Sequence, residues 1–229
     1  RQQIIEGWDQ SRLADASLAI AGSGPTAFLS GLMAASMGFG RLVLIGEGTA
    51  DKTGIPYFAS SAQPVVVSWA QFFAKINPKI RIYPLRARLT RKLIFQLPAL
   101  DGLILAGNDL ATRHLGEEMA SSMPTVAGGT AGEVGNWGAA QVDARAAHFA
   151  GRPESPLLSQ IIAGLLVDEI RKALLPLPDE AGRTRRLRLL ALPVLSRCSR
   201  QSTPPSIRLK RHAIAMIGAG ALGTWFGLA

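Results

Sequence analysis

The sequence predicts an α/β fold, a Rossmann-like, mostly parallel sheet with helices on both faces. An apolar run, Leu18-Ala19-Ile20-Ala21, breaks at Gly22-Ser23-Gly24-Pro25-Thr26-Ala27, passes through Ala- and Met-rich residues to Met37 and returns as Leu42-Val43-Leu44-Ile45. That is the pattern of a βαβ opening. Beyond it, helical and strand patterns alternate almost throughout, which is the order of a parallel sheet. The 229 residues, 48% hydrophobic, suffice for one domain with a sizeable core plus an appendage.

The opening turn carries a glycine fingerprint. Gly22 and Gly24 stand at its first two positions, where a tight turn and a close backbone approach are needed, and Ala27 is small enough for the third, where helix meets strand. Such a turn aims the helix N-terminus at an anionic ligand. The same residues also serve as a purely architectural turn, and both readings stand at this point.

The remaining elements follow in order. Pro64 suits a first helical turn, and Val66, Trp69, Phe72 and Phe73 recur at helical spacing over residues 65–76, giving a core-facing helix that Asn77-Pro78 ends. Residues 80–83 alternate like a short strand. Residues 100–106 read as a buried strand, 109–123 as a helix, 125–127 as another strand and the glycine-rich 128–140 as loop or irregular strand. Residues 156–175 form the longest helical pattern.

The charge is unevenly placed. The formal +9 sits entirely in residues 183–211, where Arg183, Arg185, Arg186, Arg188, Arg197, Arg200, Arg208, Lys210 and Arg211 occur without an acid, while basic and acidic residues balance before it. This Arg- and Pro-rich segment reads as a linker or a contact for an acidic protein. Nucleic acid is disfavoured as a partner because aromatics for base stacking are missing from it. A single cysteine, Cys198, allows no intrachain disulfide and no Cys-x-x-Cys zinc pair, so a metal site is not expected and a reducing cytoplasm is. The uncharged stretches 16–40 and 213–229 do not read as membrane spans: the first contains the Gly-Ser-Gly-Pro break, and the second is short and contains its own glycine turn. His114, His148 and His212 are scattered and suggest no catalyst.

The order of these segments resembles the adenylation domain shared by ubiquitin-activating enzymes and the ThiF-type bacterial adenylyltransferases of thiamine and molybdopterin synthesis. Arg1-Gln2-Gln3-Ile4-Ile5 with Trp8, the glycine turn, Gln63-Pro64, Ile76-Asn77-Pro78, the stretch from Gly107-Asn108-Asp109 to Arg113 and the helix near residues 160–174 carry the resemblance. It implies a domain that, with ATP and magnesium, adenylates the C-terminal carboxylate of a ubiquitin-like or sulfur-carrier protein. Such chemistry calls for a phosphate-cradling loop, an acid for the ribose, cations for the triphosphate and a carboxylate for magnesium.

Here the chain departs from the family pattern. After the second strand the family's Asp-x-Asp is replaced by Gly46-Glu47-Gly48, leaving Glu47 for a ribose. The family's phosphate-binding arginine falls near Tyr57, its lysine at Val65 and its magnesium-binding aspartate at Asn108. An amide cannot replace a carboxylate at a divalent ion without a large loss of affinity, and Val65 offers no charge to a phosphate. The expectation is a catalytically degenerate nucleotide-binding domain over residues 1–182, with no cofactor held firmly by it.

The far end repeats the opening. Residues 213–217 lead into Gly218-Ala219-Gly220-Ala221-Leu222-Gly223, a complete fingerprint with Gly218, Gly220 and Gly223 at its positions. Residues 212–229 therefore read as the first strand and turn of a second, truncated nucleotide-binding domain, following a basic linker over 183–211. The chain reads as a piece of a longer protein. The resemblance implies an inactive half paired in a pseudo-dimer with an active adenylation domain, on the same chain or on a partner, through which ATP and magnesium act. It also implies that Arg1 is contributed in trans to that partner's ATP. Two further readings remain: an NAD- or FAD-binding Rossmann oxidoreductase, in which Glu47 takes the ribose hydroxyls, and a noncatalytic interaction protein using the basic segment.

Overall fold

The computed structural model describes residues 5–107, 110–131, 134–139, 154–176 and 188–191. The chain divides into two compact units, Arg1–Leu192 and Pro193–Ala229, and the second lies outside the described residues. Seven strands form one sheet: β1 Ser17–Ala21, β2 Arg41–Ile45, β3 Arg81–Leu85, β4 Gly102–Ala106, β5 Thr125–Ala131, β6 Val134–Ala139 and β7 Arg188–Ala191. Their order is β3-β2-β1-β4-β5-β6-β7. The first five are parallel, and β6 and β7 add antiparallel pairs. The helices are α1 Gln10–Asp15, α2 Pro25–Met37, α3 Val65–Ile76, α4 Arg91–Gln96, α5 Leu110–Met119 and α6 Pro156–Leu174.

The central strands are apolar without alternation because both their faces are covered. Ala19, Ala21, Val43, Ile45, Leu103, Leu105 and Ala127 cluster with Ile94 of α4 and Met119 of α5. By the two-residue strand period, Leu18, Ile20, Leu42, Leu44 and Ile104 take the opposite face, and all five are at most 2% exposed. On that side α6 crosses the sheet, and a side chain on Gly102 would begin 3.1 Å from Ile170. The helix α3 buries Val66, Trp69 and Phe73 as its spacing predicts, and Phe28 of α2 meets the rings of Phe58, Trp69, Phe72 and Phe73. Pro64 stands one place before the helix, as its N-cap, and not within its first turn.

The glycine-rich stretch, read as loop or irregular strand, proves to be regular where it is described. It extends β5 to Ala131 and supplies β6, with Gly128 opposite Trp137 and Thr130 opposite Gly135. The glycines make room for a helix: a side chain on Gly128 or Gly135 would begin 3.0 or 2.9 Å from Ile162 of α6. The short helix α4, capped by Thr90 through its side chain to the Leu93 amide, has no counterpart in the sequence reading. Within the segment read as linker, Arg188–Ala191 pairs with β6 as β7. No helix among the described residues is long and apolar enough to cross a membrane.

Candidate nucleotide site at the strand switch point

The strand order reverses between β1 and β4, and there the carboxyl ends of adjacent strands part to leave a crevice. A cavity of about 380 Å³ lies at that point, lined by Gly22, Ser23, Gly24, Gly46, Glu47, Arg88, Gly107, Thr112 and Glu154 among others. Gly22 follows β1 with φ +149°, donates its amide to the Ile45 carbonyl at 2.9 Å, and comes so near the Ala106 carbonyl that no side chain fits. Gly24 is the N-cap of α2 and Pro25 opens the helix. Ala27 is fully buried behind the turn, its Cβ 3.0 Å from where a side chain on Gly22 would begin. The fingerprint thus folds in the expected way, with Gly22 and Gly24 on the cavity and Ala27 beneath it.

Glu47 lies exposed on the cavity rim just after β2, its amide donating to Ser23 Oγ at 3.0 Å. Asn108 lies outside the described residues, although its neighbour Gly107 lines the cavity. Arg1, Gly218, Gly220 and Gly223 also lie outside them. Val65 is completely buried, and Tyr57, 66% exposed, stacks edge-on against Phe58 and Phe72 over a second, more open depression. Neither lines the cavity.

Two charged cavity residues escaped the sequence reading. Arg88 reaches the rim from the loop between β3 and α4, where no motif marks it. Glu154 belongs to Glu154-Ser155-Pro156, an acid two places before the proline that opens α6. That placement is a signal for a helix-start carboxylate, but the helix it serves is α2.

The Thr26 amide and Thr26 Oγ1 both donate to Glu154 Oε2, at 2.9 and 2.6 Å, and Ser159 Oγ donates to the same oxygen at 3.2 Å. Behind the carboxylate, Ser159 Oγ lies 3.0 Å from Thr26 Oγ1 and 3.1 Å from Thr130 Oγ1, and Thr130 Oγ1 accepts from the Ser155 amide at 3.0 Å. Thr26, Thr130 and Ser159 are each fully buried. Buried hydroxyls need an acceptor for every proton, and an acceptor-only carboxylate at the end of the chain satisfies them. It also meets the positive end of α2. Among the described residues no cluster of His, Cys, Asp and Glu could hold a metal ion.

No protein-family model matches the sequence and no curated protein matches it. Solved structures do match. The E. coli MccB structure with ATP aligns with a TM-score of 0.63 at 11% identity, over 80% of this chain and 65% of that one. The microcin C7 biosynthetic enzyme MccB in complex with N-formylated MccA gives 0.62 at 11%, over 80% and 66%. PaaA gives 0.60 at 15%, over 80% and 65%. The chain therefore spans roughly 65% of the length of the solved proteins it matches. At such identities the likeness is one of fold: the chain shares the α/β architecture of MccB and PaaA.

Proposed function

We propose that residues 1–182 are the degenerate half of a tandem adenylation pair, scaffolding an active domain that activates the C-terminal carboxylate of a ubiquitin-like or sulfur-carrier protein with ATP and magnesium. The observation that carries this reading is the charge around the cavity. Its charged lining residues among those described are Glu47, Arg88 and Glu154, two acids and one base. A triphosphate brought there meets carboxylates near the glycine turn, and like charges held close together cost several kcal/mol even at a moderately polar surface, about 4 kcal/mol at 4 Å. Val65 and Tyr57, which hold the places where the resemblance expects a lysine and an arginine, add no cation. The described residues of the cavity do not fit magnesium triphosphate, so no catalytic step is assigned to this half.

Its positive role is structural, with one lent residue. Arg1, by the same resemblance, reaches the ATP of the active domain, where an always-ionised guanidinium stabilises phosphate charge without belonging to the local pocket. A dinucleotide reading is favoured by one feature, Glu47 at the end of β2, where an acid takes ribose hydroxyls in dinucleotide folds. Thermal unfolding of the chain with ATP, NAD and FAD separates the two. The proposed function predicts no shift with any of them, and saturable stabilisation by NAD or FAD would favour an oxidoreductase instead.

A further inference from the structure

We infer that the glycine turn retains a working anion site, latched shut by the protein's own Glu154. The inference deepens the reading of this half as a degenerate adenylation domain, because it states what closes the site. Three observations support it. The carboxylate comes from a point 128 residues away in sequence and places Oε2 against the Thr26 amide and hydroxyl at the N-terminus of a 13-residue helix. Its other oxygen, Oε1, would be 2.5 Å from a side chain on Gly24, so the carboxylate fills the space that the second fingerprint glycine clears for a phosphate. Behind it the hydroxyls of Thr26, Ser159 and Thr130 form a fully buried chain, of which Thr26 and Ser159 both donate to Glu154 Oε2.

The donor set suits a tetrahedral oxyanion as well as it suits a carboxylate. An amide at a helix start and two hydroxyls are neutral donors, and a phosphate oxygen accepts from all of them. What excludes a phosphate is the resident negative charge together with the space it occupies. The cavity beside the latch, bounded by Gly22, Gly24 and Gly107, has room for the rest of the anion once Glu154 withdraws. The ligand class is a phosphate or phosphate ester, and Glu154 is its intramolecular competitor.

The experiment titrates inorganic phosphate, against chloride at matched ionic strength, into the full chain and into Glu154→Ala. Binding is read by calorimetry and by the backbone amide resonance of Thr26. Wild type should show no saturable binding and an unmoved Thr26 amide; Glu154→Ala should bind at least about ten-fold more tightly, with the Thr26 signal shifting, as expected for removal of an adjacent like charge. Thr26→Val in the Glu154→Ala background should abolish the gain. Glu154→Gln keeps the shape and the accepting oxygen while removing the charge, and it should bind phosphate more tightly than wild type even if the alanine variant does not fold. Equal binding by wild type and variant, or a folded Glu154→Gln that takes up no phosphate, overturns the inference. Failure here leaves the proposed function standing, because that reading is tested on the wild-type chain, by ligand-induced stabilisation and by adenylate formation, and not on the Glu154 variants.

Discussion

The carbonyl of Ala106 lies 2.1 Å from where a side chain on Gly22 would begin, so the end of β4 closes directly over the turn that follows β1. This contact, with φ +149° at Gly22, fixes glycine there on two independent grounds. Gly22→Ala should destabilise the domain by about 2–4 kcal/mol, combining left-handed strain with a backbone clash. Chemical denaturation measures it, and a loss below half a kcal/mol would mean that the strand ends part easily.

Gly31, in the middle of α2, sets two effects against each other. Alanine is favoured over glycine in a helix by about 1 kcal/mol. A side chain there would begin 2.5 Å from Cε2 of Phe73, a ring that is fully buried and stacked on Phe28. Overpacking of a filled core costs about 1–3 kcal/mol, so packing should win and Gly31→Ala should lower the melting temperature. The double variant Gly31→Ala with Phe73→Leu should recover part of the helix gain, and its unfolding curve checks the pairing.

How much of this was legible in the sequence follows from the physics of each element. Fingerprint, buried strands and α3 were readable because periodicity and turn chemistry are local, and Gly22 and Ala27 meet as the spacing predicts. The hairpin of β5 and β6 was not, because its glycines look like loop until Ile162 of α6 is placed against them. The latch was invisible for the same reason: nothing in the sequence near Thr26 announces a carboxylate from residue 154. The position of Glu47 beside the glycine turn follows from its place after the second strand, whereas Arg88 stands in a loop with no pattern to mark it.

Val65→Lys, which installs the lysine that the resemblance expects, should not confer nucleotide binding. Val65 is 0% exposed at the start of α3, where its amide bonds to the Gly48 carbonyl at 3.1 Å. A lysine there must bury its ammonium or disturb the helix start, and a loss of about 2–4 kcal/mol is expected from denaturation, without gain of ATP binding by calorimetry.

Asp9 makes a pH-dependent contribution at the start of α1. Its carboxylate accepts from Ser11 Oγ at 2.6 Å and from the Ser11 amide at 2.9 Å, and these bonds hold its carboxyl below the ordinary 3.8. A depressed carboxylate contributes above the unfolded value and loses its contribution as pH falls through the lower folded one. NMR titration of Asp9 should therefore give a midpoint below 3.8, and Ser11→Ala should move it upward. An unmoved midpoint would mean that the Ser11 hydroxyl has no part in the cap.

Assembled with the active adenylation domain proposed as its partner, the Arg1→Ala chain should support adenylate formation at limiting ATP about ten-fold or more slowly than wild type, with its melting temperature unchanged. An unchanged rate would remove the lent residue from the account.

The most direct test is ATP–pyrophosphate exchange by the isolated chain with magnesium and candidate ubiquitin-like or sulfur-carrier proteins. A half that scaffolds but does not catalyse should give exchange no faster than the protein-free background, in wild type and in Val65→Lys alike. Magnesium-dependent exchange above background by the wild-type chain would contradict the account.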